Sequence, residues 1–221
     1  MNQLVRADGI IRLLVVICLG TFGFGMADAL LEPYGGQVLG LSIADTTKLT
    51  ALFSVGTLVG FAIASRLLSG TTEPGNLALA GLAVGIPGFG LIIFVSMDGG
   101  TISFLLGTFL VGLGTGLFGH ATLTAAMRAA PREQIGLALG AWGAAQACAA
   151  GLGVALAGIV RDVIVGLQGA TGNSVQTPCA IIFTIEALSL LIAIAVVWPM
   201  ARKVTNRKDI HTTTEKQVEG L

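Results

Sequence analysis

Apolar residues run along this chain in six long blocks separated by short polar segments. A helix needs roughly 20 mainly apolar residues to cross a bilayer. The pattern therefore predicts six transmembrane helices, at Ile10–Leu31, Thr47–Leu68, Leu77–Ser96, Ile102–Met127, Ile135–Val165 and Ala180–Met200. Pro33 and the Gly35-Gly36 pair predict that the first helix breaks soon after Leu31, because proline and glycine disfavour a helix interior.

Composition points to lipid as the main solvent of the chain. Of the 221 residues, 54% are hydrophobic and 11% are charged, whereas soluble domains carry about 25% charged residues. We therefore predict an all-α membrane protein. A formal net charge of zero gives no indication of nucleic-acid binding, and no catalytic motif is present, so we expect neither a nucleic-acid partner nor an enzyme.

Basic residues predict the orientation of the six helices. Ten of the twelve Lys and Arg fall on one side, and only Lys48 and Arg161 fall on the other. Basic loops favour the cytoplasm, so both termini are expected there. Residues 1–204 then form the bundle, and residues 205–221 form a polar tail without apolar periodicity, which we expect to be disordered.

Glycines recur at helical spacing inside the predicted spans. Small residues four apart let two membrane helices approach closely. We expect such faces to pack within the bundle, with a docking groove for a partner helix as the alternative. The glycines concerned are Gly56, Gly60, Gly112, Gly116, Gly136, Gly140 and Gly151, and the fifth span adds Ala144, Ala147, Ala155 and Gly158.

Three acidic residues lie at or near membrane depth, where an ionisable group is a functional candidate. Asp28 and Glu32 are four apart, on one face near the outer end of the first helix. They are candidates for binding a proton, a cation or a basic group of a partner. The alternative is that both are hydrated at the membrane–water interface. Glu186 lies about a third of the way into the sixth span and is a candidate buried acid.

His120 and Trp142 are the candidate residues for binding a pigment. His120 is the sole histidine of the apolar region, between Gly119 and Ala121, and these small neighbours leave room for a flat macrocycle. Imidazole nitrogen is a standard metal ligand, although a hydrogen bond to a neighbouring helix is the commoner role of such a histidine. Trp142 lies inside the fifth span, where it either packs internally or contacts lipid or pigment.

Two long segments carry a family resemblance. The residues from Thr122 to Asp162, TLTAAMRAAPREQIGLALGAWGAAQACAAGLGVALAGIVRD, and from Ala27 to Ser65 closely resemble the PucC/LhaA family, the bacteriochlorophyll-delivery branch of the major facilitator superfamily. Members have about twelve spans in two six-helix halves. The chain resembles the C-terminal half alone. A separate N-terminal-half chain, self-association or another complex is then expected to cover its inner face.

The resemblance implies a role in assembling light-harvesting antenna in purple phototrophic bacteria. It implies bacteriochlorophyll as the cofactor, antenna polypeptides or a reaction-centre–antenna complex as partners, and the bacterial inner (intracytoplasmic) membrane as the location. Three functions remain open. They are an assembly factor, a stable subunit packed on a reaction-centre–antenna complex, and half of a proton-coupled transporter that uses the three acids.

Overall fold

Six helices, each long and apolar enough to cross a membrane, make up the fold. The computed structural model describes the backbone of residues 2–98, 100–168 and 176–219, and the side chains of residues 9–27, 29–94, 100–167 and 178–199. The helices are α1 (Asn2–Gln37), α2 (Ile43–Leu68), α3 (Pro74–Asp98), α4 (Thr101–Ala129), α5 (Ile135–Gln168) and α6 (Gln176–Glu219). The described residues contain no strand, so the expected all-α membrane fold is confirmed.

The helix α4 lies at the centre of one side of the bundle. It packs α2 on one face and α3 on another, while α6 lies between α3 and α1. The helix α5 contacts mainly α1. As a result, α5 and α2 are the two least buried spans.

Glycines set the close approach of α2 to α4. A Cβ atom added at Gly112 would overlap the carbonyl oxygen of Phe53, and one at Gly116 would overlap that of Thr57. Gly56 and Gly60 face the α4 backbone in the same way. The hydroxyl of Thr57 also donates a hydrogen bond of 3.2 Å to the carbonyl of Gly112. These four glycines therefore lie in a contact between two helix backbones.

The glycines of α5 behave differently, and their predicted packing within the bundle is wrong. A Cβ atom added at Gly136, Gly140 or Gly151 would meet no described atom within 4 Å. The reason is that α5 lies at the edge of the bundle, and this small-residue face turns away from α1. The nearby Leu137 and Leu152 are 74% and 67% exposed.

The predicted break of α1 after Leu31 is also wrong. The helix continues through Pro33, Gly35 and Gly36 and ends at Gln37. Tertiary packing holds this turn, because the fully buried ring of Tyr34 contacts Phe104 and Phe183 at centroid distances of 5.2 and 5.6 Å. The chain reverses instead at Gly40, whose φ of +64° is the left-handed conformation that glycine adopts without strain.

At the other end of the chain, the backbone is helical through Glu219, where the sequence predicted irregular structure. No glycine interrupts residues 200–219, and Lys, Arg, Glu and Gln are good helix formers, so the helix of the last span propagates into this segment. The side chains of the tail lie outside those described. Its mobility stays a prediction.

Candidate functional site

A cleft of about 720 Å³ opens between α1, α2, α4 and α5. Its wall consists mainly of aromatic and small residues. They include Phe24 from α1, Phe53 and Phe61 from α2, and Phe118 and Gly119 from α4. Pockets of about 300–1,000 Å³ hold most small-molecule and cofactor ligands. The cleft therefore has the size and character of a site for a flat apolar ligand.

His120 lines this cleft, as does Trp142. The His120 ring lies 6.0 Å from the ring of Phe61, centroid to centroid. Its backbone carbonyl accepts a hydrogen bond from Thr124. The structure shows no hydrogen bond to the imidazole from any described residue, so a ring nitrogen is free to bind a ligand.

Trp142 stands at one end of the cleft. Its indole Nε1–H donates a hydrogen bond of 3.3 Å to the hydroxyl of Thr122 on α4. Buried tryptophan usually satisfies its N–H in this way. The bond joins α5 to α4 and fixes the position of the ring at the cleft wall.

Of the three acidic candidates, Glu32 and Glu186 have described side chains, and neither lines the cleft. Glu32 is exposed and its Oε1 accepts a 2.5 Å hydrogen bond from the hydroxyl of Thr50 on α2. Glu186 is fully buried beside the backbone of Met26 and Ala27. The side chain of Asp28 lies outside the described residues, so its predicted pairing with Glu32 stays a prediction.

Comparisons with known proteins place the chain in a family. The family profile described as "PUCC protein" matches residues 1–205. The chain belongs to the PUCC protein family. "Protein PucC" of Rhodobacter capsulatus is 58% identical over 202 residues, which are 90% of this chain and 44% of that protein. "Protein PucC" of Cereibacter sphaeroides is 47% identical over 201 residues, covering 91% of this chain and 44% of that protein.

This PUCC-family chain thus spans less than half the length of these curated relatives. Among solved structures, it superposes on a peptide transporter POT in complex with alafosfalin, with a TM-score of 0.69 at 14% identity. The match covers 89% of this chain and 39% of the transporter. At this identity the likeness shows the fold alone, and it agrees with half of a major-facilitator-type bundle.

Several polar residues of the cleft in this PUCC-family chain were not predicted from the sequence. Gln146 lies one turn beyond Trp142 on α5, and Thr21, Ser65 and Thr115 join it around the wall. These side chains are neutral, so they do not stand out in an apolar sequence as ionisable groups do. The i, i+4 spacing of Trp142 and Gln146 was the available signal, since such residues share a helix face.

Replacing Glu186 with leucine is expected to raise the free energy of unfolding. Neither carboxyl oxygen has a hydrogen-bond partner among the described residues, and such burial costs about 1–3 kcal/mol in proteins. Glu186→Leu removes that cost at similar volume. Heating in detergent with a thiol-reactive dye measures the effect, because Cys179 is buried and the substitutions Cys18→Ser and Cys148→Ser remove the half-buried and the exposed thiol. If Glu186→Leu is less stable than Glu186→Gln, the carboxyl has a partner and the interpretation is wrong.

Proposed function

We propose that this chain is a non-catalytic factor for assembling bacterial light-harvesting complexes. In this proposal it holds bacteriochlorophyll in the cleft. It holds an antenna polypeptide on the open face of α5, which is the exposed face that contains Gly136, Gly140 and Gly151. The observation that carries the proposal is the unpartnered imidazole of His120 in an aromatic cleft, in a chain of the PUCC family. The whole family protein has other parts, so this role concerns the part that the chain represents.

The residues of the cleft fit a magnesium tetrapyrrole. Bacteriochlorophyll would supply a magnesium ion when bound, and the imidazole of His120 would be the nitrogen donor that this wall offers to it. Gly119 beside it carries no side chain, so the wall stays flat there. Phe24, Phe61 and Phe118 offer ring faces and edges for contact with a planar ligand.

The open face of α5 supports the second part of the proposal. Gly136, Gly140, Ala144, Ala147, Gly151, Ala155 and Gly158 follow one another at spacings of three and four and are all exposed. Membrane helices associate through small residues that allow close backbone contact. Antenna polypeptides, being short single-span helices, suit such a face. The rest of a longer family protein is the competing occupant.

Gentle purification from membranes of a phototrophic bacterium tests the proposed function. We expect a tagged version of the chain to recover antenna polypeptides, identified by mass spectrometry, together with bacteriochlorophyll, identified by its absorption spectrum. Presence in assembly intermediates but not in mature complexes would favour the assembly factor. Recovery of the chain without pigment or antenna, or normal antenna assembly in a deletion strain, would contradict the proposal.

Bulky residues on the open face of α5 are expected to block the partner without unfolding the chain. Gly140→Leu and Gly151→Leu each place a branched side chain where no described atom lies within 4 Å. We expect recovery of antenna polypeptides to fall about tenfold, since about 1.4 kcal/mol of lost helix contact has that effect. The melting temperature of the chain alone should not change. Unchanged recovery would show that the partner binds elsewhere.

A stable subunit of a reaction-centre–antenna complex is the second candidate, favoured by the same open face. A fixed stoichiometry in mature complexes would select it over the assembly factor. Either role places the chain in the intracytoplasmic membrane, with both termini in the cytoplasm as the basic residues predict. Protease accessibility of the termini in sealed vesicles of known orientation tests that arrangement.

A further inference from the structure

A second, apolar cavity continues the cleft toward the turn between α4 and α5. It measures about 210 Å³ and is lined by Leu13, Leu14 and Ile17 of α1, Ala126 of α4, and Leu137 and Ala138 of α5. Trp142 borders both spaces.

The two spaces lie end to end along α1, α4 and α5 and meet at Trp142, and together they are called the groove. On α1, the lining passes from Ile17 to Thr21 and Phe24, and on α4 it passes from Ala126 to Leu123. On α5 it passes from Ala138 through Trp142 to Gln146. These steps of three or four residues keep to one face of each helix. The lining of the groove runs from Gln134, just before α5, to Ala150 on α5, which is about 24 Å at 1.5 Å per residue.

The chemistry of the wall changes along this groove. The mainly apolar cleft has two polar groups, the imidazole of His120 and the amide of Gln146, that suit the metal and the polar substituents of a flat ring system. The smaller cavity has aliphatic side chains along its length, and among its described lining residues the amide of Gln134 lies at the far end. The indole of Trp142, held by Thr122, marks the boundary.

We propose that the smaller cavity is a subsite for an aliphatic tail. The ligand class is a planar tetrapyrrole whose long ester chain passes Trp142 and lies between α1, α4 and α5. This inference rests on the proposed pigment-binding role of the cleft and adds the part of the ligand that the cleft does not hold. Lipid solvates such a chain as well as protein does. The preference for a pigment with a tail over one without therefore comes from packing of the tail against the cavity wall, and it is modest.

Binding of two pigments with the same ring tests the subsite. We would titrate the purified chain in nanodiscs with bacteriochlorophyll and with the tailless methyl ester of bacteriochlorophyllide. We expect the tailed pigment to bind about fivefold more tightly. Ala138→Phe fills the cavity one turn from Trp142 and should bring the ratio of the two dissociation constants to about one. Ala195→Phe, exposed on α6 and outside both spaces, should leave the ratio unchanged.

Each outcome supports or overturns a stated part of the argument. A ratio near one in the unmodified chain, or a ratio that Ala138→Phe leaves intact, overturns the tail subsite while the pigment site stands. Failure of both pigments to bind overturns the proposed function and the subsite together. If Ala138→Phe does not fold, Leu14→Phe enters the same cavity from α1 and carries the same expectation.

Discussion

Gly112→Ala is expected to destabilise the chain by about 3 kcal/mol, although it adds a single methyl group. The added Cβ atom would overlap the carbonyl oxygen of Phe53, which belongs to the backbone of α2 and cannot move aside by a rotamer change. Relief requires α2 and α4 to separate. That separation also breaks the hydrogen bond from Thr57 to the carbonyl of Gly112.

Gly140→Ala is the matched control for this substitution. The two glycines sit in equivalent small-xxx-small pairs, but the Cβ atom at Gly140 would meet no described atom within 4 Å. Alanine is the better helix former, so this variant should be as stable as the unmodified chain or up to about 1 kcal/mol more stable. Thermal unfolding in detergent, followed through the buried thiol of Cys179, compares them. Equal stability of the two variants would show that α2 and α4 do not meet as described.

His120→Leu should lower the bacteriochlorophyll that co-purifies with the chain at least about tenfold. Leucine keeps the apolar character of the position but offers no nitrogen to a magnesium ion. A loss of about 1.4 kcal/mol in binding free energy corresponds to that factor. The measurement is the ratio of pigment absorbance to protein after purification in mild detergent.

Two further variants make this test specific to the imidazole. His211→Leu changes the only other histidine, which lies in the tail, and should leave the pigment content unchanged. His120→Gly removes the side chain, and added imidazole should restore part of the binding. Undiminished pigment in His120→Leu would rule out ligation by this residue and leave the aromatic wall as the remaining basis of the site.

The length of the apolar blocks was enough to predict the six helices, because crossing a bilayer fixes a minimum length and little else competes with it. Local rules failed where tertiary contacts outweighed them. Pro33 and Gly35 indicated a break in α1, yet the burial of Tyr34 between Phe104 and Phe183 holds the helix through that segment.

Glycine spacing shows the limit of sequence reasoning for the site. The pairs Gly112/Gly116 and Gly136/Gly140 have the same spacing, but the first faces α2 and the second faces no described atom. Spacing identifies a face that allows close approach and does not identify its neighbour. In the cleft, residue type alone was enough to predict His120 and Trp142 as site residues. Gln146 could be assigned to the site only from the structure, which surrounds the cleft with three other helices.

The dependence of the cleft on α5 has a consequence for the order of events during synthesis. Its walls come from α1, α2, α4 and α5, and α5 reaches α1 only after more than a hundred intervening residues have been made. Until the fifth helix leaves the insertion machinery, the cleft lacks the wall that Trp142 and Gln146 supply, and the side of the cleft that His120 lines is open to the bilayer. On the proposed role, pigment capture is therefore expected late in biogenesis, and a nascent chain arrested before Ile135 should emerge without pigment.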